Sequence, residues 1–175
     1  MTSQMKFIFF DKNAEHIHQY ELVLNHNCIV CDVEWLINTG KLDIIVSPAN
    51  SHGIMDGGID LVYSRLFDGI QNTVQNKIRD VGVLSDWGYW ALPIGKTVIV
   101  ETKNELCGLL ACTPTMTLPG NINGTDNIYQ AMRGLLAELK NYPQDYTVGI
   151  PCLGTGIGCV HPIESATQIK RAVLE

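Results

Sequence analysis

The chain has 175 residues, 46% of them hydrophobic, which suits one well-filled core and is too short for two ordinary domains. With 12 basic residues against 18 acidic ones the net charge is −6, and no cluster of five Lys or Arg occurs. This argues against a nucleic-acid surface driven by phosphate neutralisation, but leaves open a small anion held by uncharged backbone N–H groups. No apolar run approaches the length of a membrane span, and the first apolar run, Lys6 to Phe10, is too short for a signal peptide. The expectation is a cytoplasmic chain with no membrane contact. Its six cysteines (Cys28, Cys31, Cys107, Cys112, Cys152 and Cys159) are then reduced thiols. Cys28 and Cys31 have C-x-x-C spacing, but in a strand residues three apart face opposite ways and no second pair supports a metal, so none is expected.

Taken in order, Phe7 to Phe10 reads as a strand, and Ala14 to Leu24 as a helix capped by Asn13. Cys28 to Asp32 is a second strand, and Val33 to Asn38 a short helix stopped at Thr39-Gly40. Asp43 to Val46 is a buried strand that runs into a polar loop. Leu61 to Ile78 carries apolar residues near a helical period, with Gly69 as an interruption. Trp87 to Trp90 and Leu92 to Gly95 read as loop or edge strand, the aromatic residues serving as packing or edge positions. Thr97 to Glu101 and Leu109 to Thr113 form a hairpin turning at Lys103 to Glu105. A breaker-rich loop over Met116 to Asp126 precedes an amphipathic helix from Asn127 to Leu139, in which Tyr129 suits either cleft or core. A late strand from Thr147 to Leu153 and a closing helix from Ser165 to Leu174 complete the pattern. Mixed strands and helices in this order predict a three-layer α/β/α sandwich with a central mixed sheet, one domain over residues 1–175.

Two loops carry the chemistry. Lys41 to Arg65 passes from strand through Pro48, Asn50, His52 and Gly57-Gly58 into a helix within a short span, the arrangement that gathers N–H groups at the C-terminal end of a strand. The second loop, Gly149 to Gly158, has glycines at 154, 156 and 158 directly after a strand. Those glycines let a backbone approach a phosphate, and they equally suit a tight turn. No Gly-Lys-Ser/Thr follows, so it is not a Walker A loop. His52 and His161 beside the loops read as surface histidines, with acid–base use as the sharper alternative.

Together with Asp32 at a strand end, these loops resemble the macro domain, an ADP-ribose-binding α/β/α module. The family's strand-to-Asn motif appears as Ser47-Pro48-Ala49-Asn50, followed by Met55-Asp56-Gly57-Gly58-Ile59-Asp60. Its Gly-Asp-Ile motif appears as Cys31-Asp32-Val33, and its late glycine loop as Cys152-Leu153-Gly154-Thr155-Gly156. The variants look most similar to stand-alone phage, viral or bacterial members. The resemblance implies a monomer without cofactor whose partner is ADP-ribose or an ADP-ribosylated substrate. Asp32 would accept from the adenine amine and Val33 would line the base pocket. Ala49 and Asn50 would lie at the distal ribose. Gly57, Gly58 and Ile59 would wrap the diphosphate and that ribose, Gly154, Thr155, Gly156, Ile157 and Gly158 would clamp the phosphates from the other side, and Leu153 counts among the ligand-binding residues. In hydrolytic MacroD-type members an Asp ten residues after the Asn positions a water, so Asn50 and Asp60 become the catalytic candidates. A first-turn acid stabilised by the helix dipole is the plainer reading of Asp60, and a non-catalytic ADP-ribose reader the alternative function. Relative to the family pattern, Ser47 replaces the first Asn, Met55 and Asp56 shorten the glycine run, and Pro48 stiffens the loop. Lys96 and Lys103, the nearest candidates for a covalent-adduct lysine, lack a flanking motif and read as solvated.

Overall fold

The computed structural model describes residues 4–175. Eight strands and six helices alternate in chain order among these residues: β1 (Lys6–Asp11), α1 (Ala14–Val23), β2 (Asn27–Val30), α2 (Val33–Asn38), β3 (Ile44–Ser47), α3 (Gly58–Leu66), α4 (Ile70–Val81), β4 (Val83–Leu84), β5 (Trp90–Ala91), β6 (Val98–Glu101), β7 (Leu109–Cys112), α5 (Asn127–Leu139), β8 (Thr147–Pro151) and α6 (Pro162–Leu174). The central sheet has the order β2-β1-β8-β3-β7-β6. Its first five strands are parallel and β6 is antiparallel to β7, because a short turn joins those two as a hairpin.

Both sheet faces are covered, and the strand period of two sorts the side chains between them. Phe9, Ile44, Val46, Ile99 and Ala111 point to one core, shared with α1, α5 and α6. Phe10, Ile45, Val98, Val100 and Leu110 point to the other, shared with α2, α3 and α4. That is the expected three-layer sandwich with a mixed sheet.

Local signals account for most boundaries. The Asn13 side chain accepts from Glu15 and His16 N–H to start α1, and Asp32 accepts from Trp35 N–H at 2.7 Å to start α2. Three readings change. The expected single helix over 61–78 is two, α3 and α4, broken at Phe67–Gly69, whose Phe67 and Ile70 anchors are both buried. The closing helix begins at Pro162 rather than Ser165, because His161 caps it and proline at the first helical position needs no N–H partner. The Trp87–Trp90 segment belongs to a separate two-stranded ribbon of β4 and β5, and Trp87 is 86% exposed rather than packed.

The connection out of β1 leads to β2 on one side of β8, while the chain leaving β3 builds β7 and β6 on the other. Divergence of this kind opens a crevice at the C-terminal ends of parallel strands.

Candidate functional site

A cavity of about 910 Å³ occupies that crevice. Ligand pockets typically fall in the range of roughly 300–1,000 Å³. Asp32, Val33, Ala49, Asn50, Gly57, Gly58, Ile59, Asp60, Gly154, Thr155, Gly156, Ile157 and Gly158 all line it. Residues read from three separate stretches are thus brought to one place. Leu153 is the exception: its side chain is fully buried in the core, so it supports the loop from beneath instead of touching the cavity.

Hydrogen bonds across the sheet hold both loops. Thr115 N–H donates to the Ala49 carbonyl at 3.1 Å, Ser51 N–H to Met116 at 2.9 Å, and Thr115 Oγ1 to Pro48 at 3.1 Å, so the loop after β3 is strapped to the segment after β7. The glycine loop is anchored from below: the Tyr20 hydroxyl accepts Leu153 N–H at 3.0 Å and Ser165 Oγ donates to the Leu153 carbonyl at 2.6 Å. Val160 N–H closes back on Gly154 O at 3.0 Å. Gly154 has φ +68°, and a Cβ there would lie 2.8 Å from Ile128 Cδ1, so both conformation and space demand glycine. The N–H groups of Thr155, Gly156, Ile157 and Gly158 take no part in this loop's backbone hydrogen bonds. Across the cavity, α3 begins at Gly58 with its N-terminus at the cavity wall. Both stretches line one cavity.

The side-chain charge around that space is negative. Asp11, Asp32, Glu34, Asp56 and Asp60 line it, with Lys12 as the single lysine or arginine among the described lining residues. Any anion that binds in this cavity would therefore rely on N–H groups and helix ends rather than on a cationic cluster.

Asp60 is the most perturbed of these carboxyls. It is 9% exposed, and burial pushes its pKa up to about 6. A 2.6 Å hydrogen bond from Ser47 Oγ to its Oδ1 acts in the opposite direction. Asp32, by contrast, is exposed, with one oxygen committed to the α2 cap. Asn50 uses its amide within its own loop: Nδ2 donates to Ile54 O at 2.8 Å, and Oδ1 accepts from His52 N–H at 3.1 Å and Ile54 N–H at 3.3 Å. One Nδ2–H is left for the cavity.

Neither histidine singled out beside the loops lines the cavity. His52 Nδ1 meets the Trp90 carbonyl at 3.1 Å, and His161 Nδ1 accepts Ile163 N–H at 3.3 Å. Tyr129 sits under Arg171, 3.7 Å from guanidinium to ring centre, away from the cleft. Lys96 and Lys103 also lie off the lining. The sequence reading missed the end of β1 and the start of α1. Asp11, Lys12 and His16 line the cavity, with His16 Nδ1 3.1 Å from Asp11 Oδ2. Only the strand order, which puts β1 between β2 and β8, places them there.

All six cysteines are free thiols. Burial raises the Cys28 thiol pKa to about 11 and that of Cys107 to about 12, and pushes those of Cys112 and Cys152 higher still. These thiols stay protonated and poorly nucleophilic. Among the described residues, no three or more His, Cys, Asp or Glu side chains converge as a metal site, and no helix is long and apolar enough to cross a membrane.

Comparison with known proteins agrees with this architecture. The macro domain family model matches residues 46–169, a span that begins after Asp32 and Val33. An uncharacterized protein of Aquifex aeolicus is 32% identical over 127 residues, which is 72% of this chain and 68% of that relative. Among solved structures, the macrodomain of Thermus aquaticus DarG superposes with a TM-score of 0.61 at 15% identity, covering 97% of this chain and 91% of that one. The macrodomain of Mycobacterium tuberculosis DarG gives 0.58 at 22% identity, covering 77% and 80%. A Trypanosoma brucei macrodomain in complex with ADP-ribose gives 0.54 at 14%, covering 77% of this chain and 53% of that one. At these identities the structural likeness speaks for the fold.

Proposed function

The chain belongs to the macro domain family, and from that premise we propose that its cleft binds ADP-ribose and hydrolyses an ADP-ribosyl linkage with Asp60 as general base. In this reading the diphosphate lies between the N-terminus of α3 and the N–H groups of residues 155–158. Asp32 accepts from the adenine amine with the oxygen that the α2 cap leaves free, and Val33 lines the base pocket. The distal ribose reaches Ala49, Asn50 and Asp60. Water attacks the anomeric carbon: its oxygen bonds to the sugar as the bond to the acceptor breaks, and Asp60 takes the water's proton and returns it to the departing acceptor.

The observation that carries hydrolysis over mere binding is Asp60 itself. It is a buried carboxyl on the cavity wall, with a pKa raised to about 6 and no paired cation among the described residues. Such a group is ionised at neutral pH yet basic enough to accept a proton. A helix-capping acid would be exposed and needs no such environment. The alternative, a non-catalytic ADP-ribose reader, draws support from Asn50, whose amide is largely spent on its own loop.

The deciding experiment incubates the protein with ADP-ribose joined through ester, amide and nucleobase linkages and measures free ADP-ribose. Release from one of them that collapses in D60A, while ADP-ribose still binds, supports the hydrolase. Binding without release from any linkage supports the reader.

A further inference from the structure

We propose that Ser47 is a positioning residue: its hydroxyl holds Asp60 Oδ1, turns Oδ2 toward the cavity and keeps the carboxylate available in its ionised form. This inference rests on the hydrolytic reading for its catalytic meaning, but the pairing itself stands on geometry. Ser47 is the last residue of β3 and shares the face of Ile45, which strand alternation aims at α3. It is 1% exposed, and its Oγ lies 2.6 Å from Asp60 Oδ1. One helical turn further along, the Tyr63 hydroxyl donates to the Val46 carbonyl at 2.9 Å. Residues 60 and 63 lie on one face of α3, so one hydrogen bond donated by β3 and one accepted by it, at adjacent strand residues, pin that face to the strand. Asp60 is left with little rotational freedom.

The groups around this carboxyl add no positive charge. Tyr63 on α3 and Cys112 on β7 are buried neutral neighbours, and Asp56 in the loop before α3 is a like charge lining the same cavity. Lys12 in the connection after β1 and His16 in the first turn of α1 follow a strand separated from β3 by β8, and Asp32 follows β2, one strand further out. Beside the dipole of α3, in whose first turn Asp60 sits, the Ser47 hydroxyl is the side-chain group that favours the ionised form against the burial that opposes it. A hydrogen bond donated to a carboxylate lowers its pKa, so removing the donor raises it.

Two readouts on S47A and S47T test this. The first is the pH titration of the Asp60 carboxyl carbon by NMR, assigned with D60N. The second is the pH profile of ADP-ribose release. The expected result is that S47A shifts both the titration and the acid limb upward by about one pH unit. It also lowers kcat at pH 7 by at least about twofold, through the smaller ionised fraction, with KM little changed, and S47T restores both. An Asp60 titration in S47A that coincides with wild type overturns the proposal. A shifted titration in a protein that releases no ADP-ribose retains the Ser47–Asp60 pairing and instead removes the hydrolytic reading.

Discussion

Asp32 and Asp60 line one cavity and carry the same carboxyl, yet the fold places them in opposite settings. Asp32 is exposed at the end of β2, where one oxygen caps α2. Asp60 is buried in the first turn of α3, between Ser47 and the cavity. Water solvates the first carboxylate and leaves it as a hydrogen-bond acceptor that a ligand amine can meet. Burial raises the free energy of the second in its charged form, which makes it a base. In the proposed function the first carboxyl recognises the ligand and the second reacts.

The largest effect should separate the two directly. D60A is expected to lower ADP-ribose release by about a thousandfold, within the range for loss of a general base, with ADP-ribose affinity measured by calorimetry staying near wild type. A loss of affinity matching the loss of turnover would make Asp60 a second recognition residue and dissolve the contrast.

The two loops on either side should also differ in tolerance. Gly154→Ala meets both a left-handed backbone and a Cβ contact at 2.8 Å, so it should destabilise the fold by about 2–3 kcal/mol in urea titrations. Gly58→Ala, at φ +55° but in open space, bears only the backbone strain and should cost about 1 kcal/mol. Equal losses would mean the glycine loop is less rigidly seated than its anchors at Tyr20 and Ser165 imply.

Asp60 should also leave a mark on stability. Its folded pKa, about 6, lies above the ordinary value of 3.8. The folded protein therefore holds this proton more tightly than the unfolded chain. The associated stability is fully present below about pH 4 and is lost as pH rises through about 6. D60N removes the buried charge and can still accept from Ser47, so it should stabilise the fold by roughly 3 kcal/mol at pH 8 and by little at pH 4. Urea unfolding at the two pH values reads this difference. A pH-independent effect would show that burial is not what perturbs Asp60.

At the recognition end the effect is smaller. D32A should weaken ADP-ribose binding about tenfold. It should also cost about 1 kcal/mol through the lost α2 cap, whereas D32N keeps the cap and loses only the charge. If D32N binds like wild type, the carboxylate is not what meets the base.

Much of the fold was readable because its signals are local. Asn13 before an apolar period announced α1, and Asn127 to Leu139 carried its helical stripe without interruption. The β6–β7 hairpin followed from two β-branched or apolar runs and a turn between them. The break between α3 and α4 was harder to read, since Phe67 and Ile70 continue an apolar pattern while anchoring two different helices. The start of α6 was hidden because a histidine is an unusual cap. Within the site, the glycines stood out by type and spacing, and Asp60 through the resemblance to the macro domain motif. Leu153 did not separate from its neighbours, because the tight turn after β8 sends it into the core beside residues that face the cavity.

By itself the sequence determined the alternation of strands and helices, the two glycine-bearing loops and the residue types able to hold an anion, since periodicity, capping and turn chemistry act over a few neighbouring residues. Only the tertiary structure decided that β1 lies between β2 and β8, bringing Asp11, Lys12 and His16 into the cavity. It also decided that Ser47 reaches Asp60 and that Asp60, unlike Asp32, is shut away from water. Strand order and burial depend on contacts between distant segments, and a carboxyl's acidity depends on what those contacts exclude.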